Sequence, residues 1–104
     1  MKQSDKKLQG IAKVLLFTKS ENELIKLLNE LLTSSEIEKL HERVKIVACL
    51  KDGMSQREAQ RETDAGIATI NRGARLLQQP KLIITKIISS AQKMNWWYKL
   101  FWRT

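Results

Sequence analysis

The sequence predicts an all-α domain of six helices that contains a helix-turn-helix. Three observations carry that prediction. Apolar residues recur at three- and four-residue spacing along the chain, the period of an amphipathic helix. The pattern S/T-x-x-E, which satisfies free amides at a helix start, stands at Thr33–Glu36 and at Ser55–Glu58, each ahead of a helical segment. The one β-branched run, LIITKII at 82–88, finds no partner strand elsewhere in the chain.

The elements follow in order. Leu8, Ile11, Ala12, Leu15 and Leu16 give the first helix its apolar face, and the polar break TKSEN ends it. Leu24, Leu27, Leu28 and Leu31 mark the second. The Thr33–Glu36 capping box opens the third, whose buried stripe is expected at Ile37, Leu40, Val44 and Val47, with Gly53 closing it. Ser55 and Glu58 open a short fourth helix that ends near Thr63. Asp64-Ala65-Gly66 is the turn, with Gly66 expected to take backbone angles that other residues avoid. The fifth helix runs from about Ile67 to Leu77. Pro80 suits the first turn of the sixth, with Leu82, Ile83, Ile87 and Ala91 on its inner face.

At 104 residues the chain reads as one small domain, 1–104, whose limited core association with a second copy would relieve. The single cysteine, Cys49, excludes an internal disulfide and fits a reducing compartment. Within IVACL it reads as a small buried hydrophobe rather than a nucleophile. His41 is the only histidine and has no metal-spaced partner, so no zinc site is expected. No histidine–nucleophile set or phosphate loop is present, and the chain reads as a non-enzyme. No segment approaches the roughly 18 apolar residues of a membrane span. Lys13 interrupts the apolar stretch IAKVLLF, which makes a poor signal peptide, so a cytoplasmic protein is expected.

The net charge is +8, and it is unevenly placed. Seven lysines balance seven acids through Glu42, whereas twelve basic residues face four acids from Arg43 onward. No acid follows Asp64. An excess confined to the half that holds the capped helix pair points to a polyanion, nucleic acid first.

That helix pair, 56–79, has the short glycine-containing turn of a helix-turn-helix. Ile67 and Ala68 are small or apolar enough to meet thymine methyls, and Thr69 and Asn71 can hydrogen-bond at base edges. Gln56, Arg57, Gln60 and Arg61 on the preceding helix suit phosphates, and Arg57 also suits a guanine. A plain packing corner is the alternative reading of the spacing alone.

LTSSEIEKLHERVKIV, then MSQRE, then AGIATINRG resemble the Trp repressor family, in the right order, over roughly half of the chain. The resemblance implies an intertwined all-helical homodimer that represses transcription when L-tryptophan binds, placing the second helix of the pair in the major groove of operator DNA. Control of tryptophan biosynthesis or transport genes follows from the same source. It also implies that Arg43 and Arg72 sandwich the indole ring, with Arg43 serving the carboxylate and Gly73 leaving room beside the ring. Glu30 and Leu32, through their carbonyls, and Thr33 match polar contacts from the partner subunit. The chemistry is sensible, since guanidinium planes stack on aromatic faces and pair with carboxylates. Three positions depart from the family. Leu76 stands where it has a serine that meets the ligand's amino group, Gln60 replaces a lysine that faces DNA, and the turn before Met54 is one residue shorter.

Two alternatives remain at this stage. A helix-turn-helix protein that binds DNA without a ligand has no need of Arg43, Thr33 and Arg72-Gly73 together. A protein docking at membranes draws on the tail, 94–104, where Trp96 to Trp102 hold five of the six aromatics beside Lys99 and Arg103. Stable membrane association is not expected, and the tail reads instead as cover for a hydrophobic patch or a remnant foreign to the domain.

Overall fold

The computed structural model describes residues 2–79 and 82–92, and its backbone divides into two compact units, Met1–Glu38 and Lys39–Thr104. Among the described residues there are six α-helices and no strand. Pro80, the side chain of Ala91 and the 94–104 tail lie outside the described residues.

In the first unit, α1 (Gln3–Leu16) ends where the Thr18 hydroxyl donates to the Leu15 carbonyl at 2.7 Å. The second helix, α2 (Glu21–Leu31), starts at Ser20, whose hydroxyl accepts from the Glu23 amide at 3.1 Å. No residue of either helix is buried, and Leu8, Ile11, Val14, Ile25 and Leu31 are each more than half exposed. The expected box at the start of α3 (Ser34–Lys51) is formed. Thr33 N–H donates to Glu36 Oε1 at 2.8 Å, and Glu36 N–H donates back to Thr33 Oγ1 at 3.2 Å.

The second unit is built around the last turns of α3. Ile46, Val47, Ala48 and Cys49 are all buried, four in a row. The expected stripe at Ile37, Leu40, Val44 and Val47 is therefore only partly right: Val47 is buried, Ile37 and Val44 are half-buried, and Leu40 is exposed. The reason is that this end of α3 is covered from two sides. Ile46 and Cys49 pack with Ala59, Ala65 and Ile70, while Val47 and Ala48 pack with Ile88. A one-sided stripe describes a helix lying on a core, and the end of α3 lies inside one. Burying an isoleucine is worth roughly 1.5–3 kcal/mol, so Ile46 and Ile70 are principal anchors of this unit.

Helix α3 ends in a Schellman motif. The N–H of Gly53 (φ 98°) donates to the Leu50 carbonyl, and that of Met54 donates to the Cys49 carbonyl, each at 3.2 Å. Helix α4 (Gln56–Thr63) opens on a complete capping box at Ser55 and Glu58. Helix α5 (Ile67–Leu77) follows and packs on α4. The turn between them corrects one expectation. The left-handed residue is Asp64 (φ 57°, ψ 23°), whereas Gly66 is extended (φ −68°, ψ 154°) and is the N-cap of α5. Aspartate is among the few side-chain-bearing residues that tolerate the left-handed region, and glycine is an accepted N-cap.

The last helix, α6 (Ile83–Gln92), begins three residues after Pro80 and leaves Leu82 outside it. Its inner face also differs from expectation. Ile88 is buried and Ile84 packs on the same cluster, while Ile83 and Ile87 are 70% and 58% exposed. Both pairs have i, i+4 spacing within LIITKII, so periodicity alone could not choose between them.

Candidate functional site

Helix α5 presents three different faces, set by its sequence. Ile70 and Gly73 are buried on the core side. Thr69, Arg72, Gly73 and Leu76 face a groove whose other wall is α3. Ala68 lines the same groove and, with Asn71, Ala74, Arg75 and Gln78, also borders a second, open hollow that Gln56 lines from α4.

The groove has a volume of about 520 Å³, within the roughly 300–1,000 Å³ of small-molecule sites. Its α3 wall is Lys39, Glu42, Arg43, Ile46 and Val47, spaced so that one helix face supplies all five. Buried Ile46, Val47 and Gly73 make an apolar floor, and exposed Lys39, Arg43 and Arg72 make a cationic rim. Glu42 is the only acid among the lining residues. Such a groove suits a flat apolar body carrying a negative charge.

Gly73 is held there by packing. A Cβ on it would lie 2.7 Å from Ile46 Cγ2, a contact that real Cβ atoms essentially never make. Cγ2 branches at Ile46 Cβ and cannot swing aside freely, so the missing side chain lets α5 approach α3 closely. Leu76 lines the same groove and also packs partly on the Val47–Ala48–Ile88 cluster. The site residues expected from sequence thus divide. Arg43, Arg72 and Gly73 come together in the groove. Glu30, Leu32 and Thr33 belong to the first unit, where Thr33 caps α3. Lys39, Glu42, Ile46 and Val47 were missed, although their three- and four-residue spacing from Arg43 could have found them.

The expected nucleic-acid contacts divide as well. Gln56, Ala68 and Asn71 share the hollow of about 450 Å³, joined by Ala74, Arg75 and Gln78, which sequence reasoning missed. Thr69 is half-buried and lines the ligand-sized groove instead. Ile67 is 53% exposed at the first position of α5, Arg57 and Arg61 are exposed on α4, and Gln60 is half-buried. The start of α5 carries no side-chain cap, unlike α2 and α4. Its first amides, at Ile67 and Ala68, precede the first helical acceptor pairings and remain available to an anion.

Cys49 is fully buried, and burial pushes its thiol up to about 11, leaving it protonated and unreactive at neutral pH. Among the described residues no cluster of His, Cys, Asp or Glu could hold a metal ion, and no helix is long and apolar enough to cross a membrane.

Comparison with known families brings a match to the model described as Trp repressor protein, over residues 6–92. No solved structure matches the chain. The match covers both α3 and the helix-turn-helix, and with them the groove between α3 and α5. The chain belongs to the Trp repressor family of DNA-binding transcriptional regulators.

Proposed function

We propose that this protein is a repressor that binds operator DNA as a homodimer when L-tryptophan occupies the groove between α3 and α5. One observation carries the reading: Arg43 and Arg72, on different helices, line one groove with an apolar floor. The indole would lie between the two guanidiniums, which stack on aromatic faces, and Arg43 would pair with the ligand carboxylate. Glu30, Leu32 and Thr33 of a partner subunit would supply the remaining polar contacts. With Leu76 unable to accept a hydrogen bond, the ligand's ammonium relies on backbone carbonyls.

The groove and four of the seven DNA-facing residues share α5, and that gives the ligand its leverage. Gln56, Arg57, Gln60, Ile67, Ala68, Thr69 and Asn71 would meet DNA, the uncapped amides of α5 adding donors for phosphate. A ligand wedged against α3 sets the tilt of α5. Two such helices must reach major grooves about 34 Å apart, a spacing known for helix-turn-helix dimers, this family included, rather than read from this chain. Tryptophan acts as a switch only if it binds the DNA-competent arrangement better than the alternative. No catalytic step is part of this reading. The regulated genes would be those of tryptophan biosynthesis or transport, in the cytoplasm.

Calorimetric titration of L-tryptophan tests the ligand assignment. The wild-type protein is expected to bind, and Arg72→Ala to bind roughly two- to thirtyfold more weakly, the worth of one guanidinium stacked on an aromatic face. Equal affinity in the two proteins, or no binding by the wild type, would remove the groove from the account.

A further inference from the structure

Glu42 is out of place in the groove between α3 and α5, whose other ionisable residues are the cations Lys39, Arg43 and Arg72. It stands three residues after Lys39 and one before Arg43, and it is half-buried while both of those are exposed. Among the side chains that line the groove, only Glu42 and Thr69 can accept a hydrogen bond, and only Glu42 is anionic. Leu76 presents nothing but hydrocarbon from the α5 wall. A carboxylate beside the seat of an anion costs affinity through like-charge repulsion, unless the ligand brings a positive group with it.

We propose that Glu42 reads the ligand's ammonium, so that the groove selects an aromatic α-amino acid over the same aromatic acid without its amino group. In an α-amino acid the ammonium and the carboxylate sit on one carbon. Glu42 and Arg43 are consecutive and both line the groove, so the α3 wall offers opposite charges a short distance apart. Buried Ile46, Val47 and Gly73 leave the apolar floor to the ring. The backbone carbonyls that accept the ammonium's hydrogen bonds are neutral, and Glu42 supplies the countercharge. Partial burial lowers the local dielectric and strengthens that pairing over a fully exposed one. This role rests on the tryptophan reading above and deepens it, because it assigns to α3 a selectivity that Leu76 cannot provide.

Two ligands are titrated calorimetrically into full-length wild-type, Glu42→Gln and Glu42→Asp protein: L-tryptophan, and indole-3-propionate, which keeps the ring and carboxylate but lacks the amino group. Glu42→Gln is expected to bind tryptophan about fivefold more weakly, the upper worth of a part-exposed ion pair. The same change should tighten indole-3-propionate, because the carboxylate that repels this anion is gone. Glu42→Asp keeps the charge and should hold the tryptophan-to-analogue ratio closer to wild type. A merely structural role would weaken both ligands together, and pairing of Glu42 with Lys39 alone would let both tighten when the acid is removed. Either parallel shift, an unchanged ratio in Glu42→Gln, or the same ratio in Glu42→Asp as in Glu42→Gln overturns the role of Glu42 and leaves the groove standing. A wild-type protein that binds neither ligand overturns the groove and Glu42's role together.

Discussion

At the scale of single residues, much of the site's shape depends on an absent side chain. Gly73 permits the approach of α5 to α3, and Ile46 Cγ2 occupies the space a Cβ would need. Gly73→Ala is therefore expected to destabilise the protein by about 1–3 kcal/mol, the usual cost of overpacking a closed core. Combining it with Ile46→Ala should cost less than the sum of the two single changes, because the second removes the clashing methyl. Urea denaturation of the three variants checks this, and strict additivity would mean that the two positions do not press on each other. Residue identity also misled. Gly66 draws the eye as the permissive position of the turn, yet Asp64 takes the left-handed angles and Gly66 serves as an N-cap.

At the scale of elements, the helix starts are the most secure features because they are local. The Ser55–Glu58 box satisfies two amides within one turn. The Ser55 backbone N–H, with the Ser55 hydroxyl second, holds the Glu58 carboxyl below its ordinary value. A depressed carboxyl contributes stability that is present above its unfolded value and is lost as pH falls through the folded one. Ser55→Ala is expected to lower Tm by about 4–8 °C at neutral pH, the effect of one lost cap in a chain of this size. Its deficit relative to wild type should shrink on acidification through the carboxylate range. A deficit that persists undiminished in acid would show that the Ser55 hydroxyl takes no part in holding the Glu58 carboxylate. This locality explains why both capping boxes, the Gly53 terminus and the limits of α4 and α5 were legible in the sequence. Facing was not. In LIITKII the pairs Ile83/Ile87 and Ile84/Ile88 are equivalent by spacing, and only packing on Val47 and Ala48 selects the second. Cover on two sides of α3 likewise buries four consecutive residues that a single stripe cannot describe. Arg43 and Arg72 became a site through family likeness, since spacing along the chain does not bring α3 and α5 together.

At the scale of the whole molecule, two properties remain to be explained. The first is apolar surface: Leu8, Ile11, Val14, Ile25 and Leu31 of the first unit are exposed, as are Ile83 and Ile87 of α6. Helices with such faces need a cover, and a second copy of the chain is the cover the dimer reading supplies. Sedimentation at micromolar concentration should give a dimer mass, and a monomer at those concentrations would contradict it. The second is charge. The net +8 falls entirely after Glu42, in the part of the chain that carries the helix-turn-helix, so binding to DNA should weaken steeply with salt. In the proposed reading, ligand control works through α5, which lines the groove and carries part of the DNA-facing surface. The most direct test is therefore the affinity of the dimer for operator-bearing DNA, selected from a random-sequence pool, with and without saturating L-tryptophan. The account predicts tighter specific binding with tryptophan and no such gain in Arg72→Ala. Equal affinity with and without tryptophan in the wild type would contradict it.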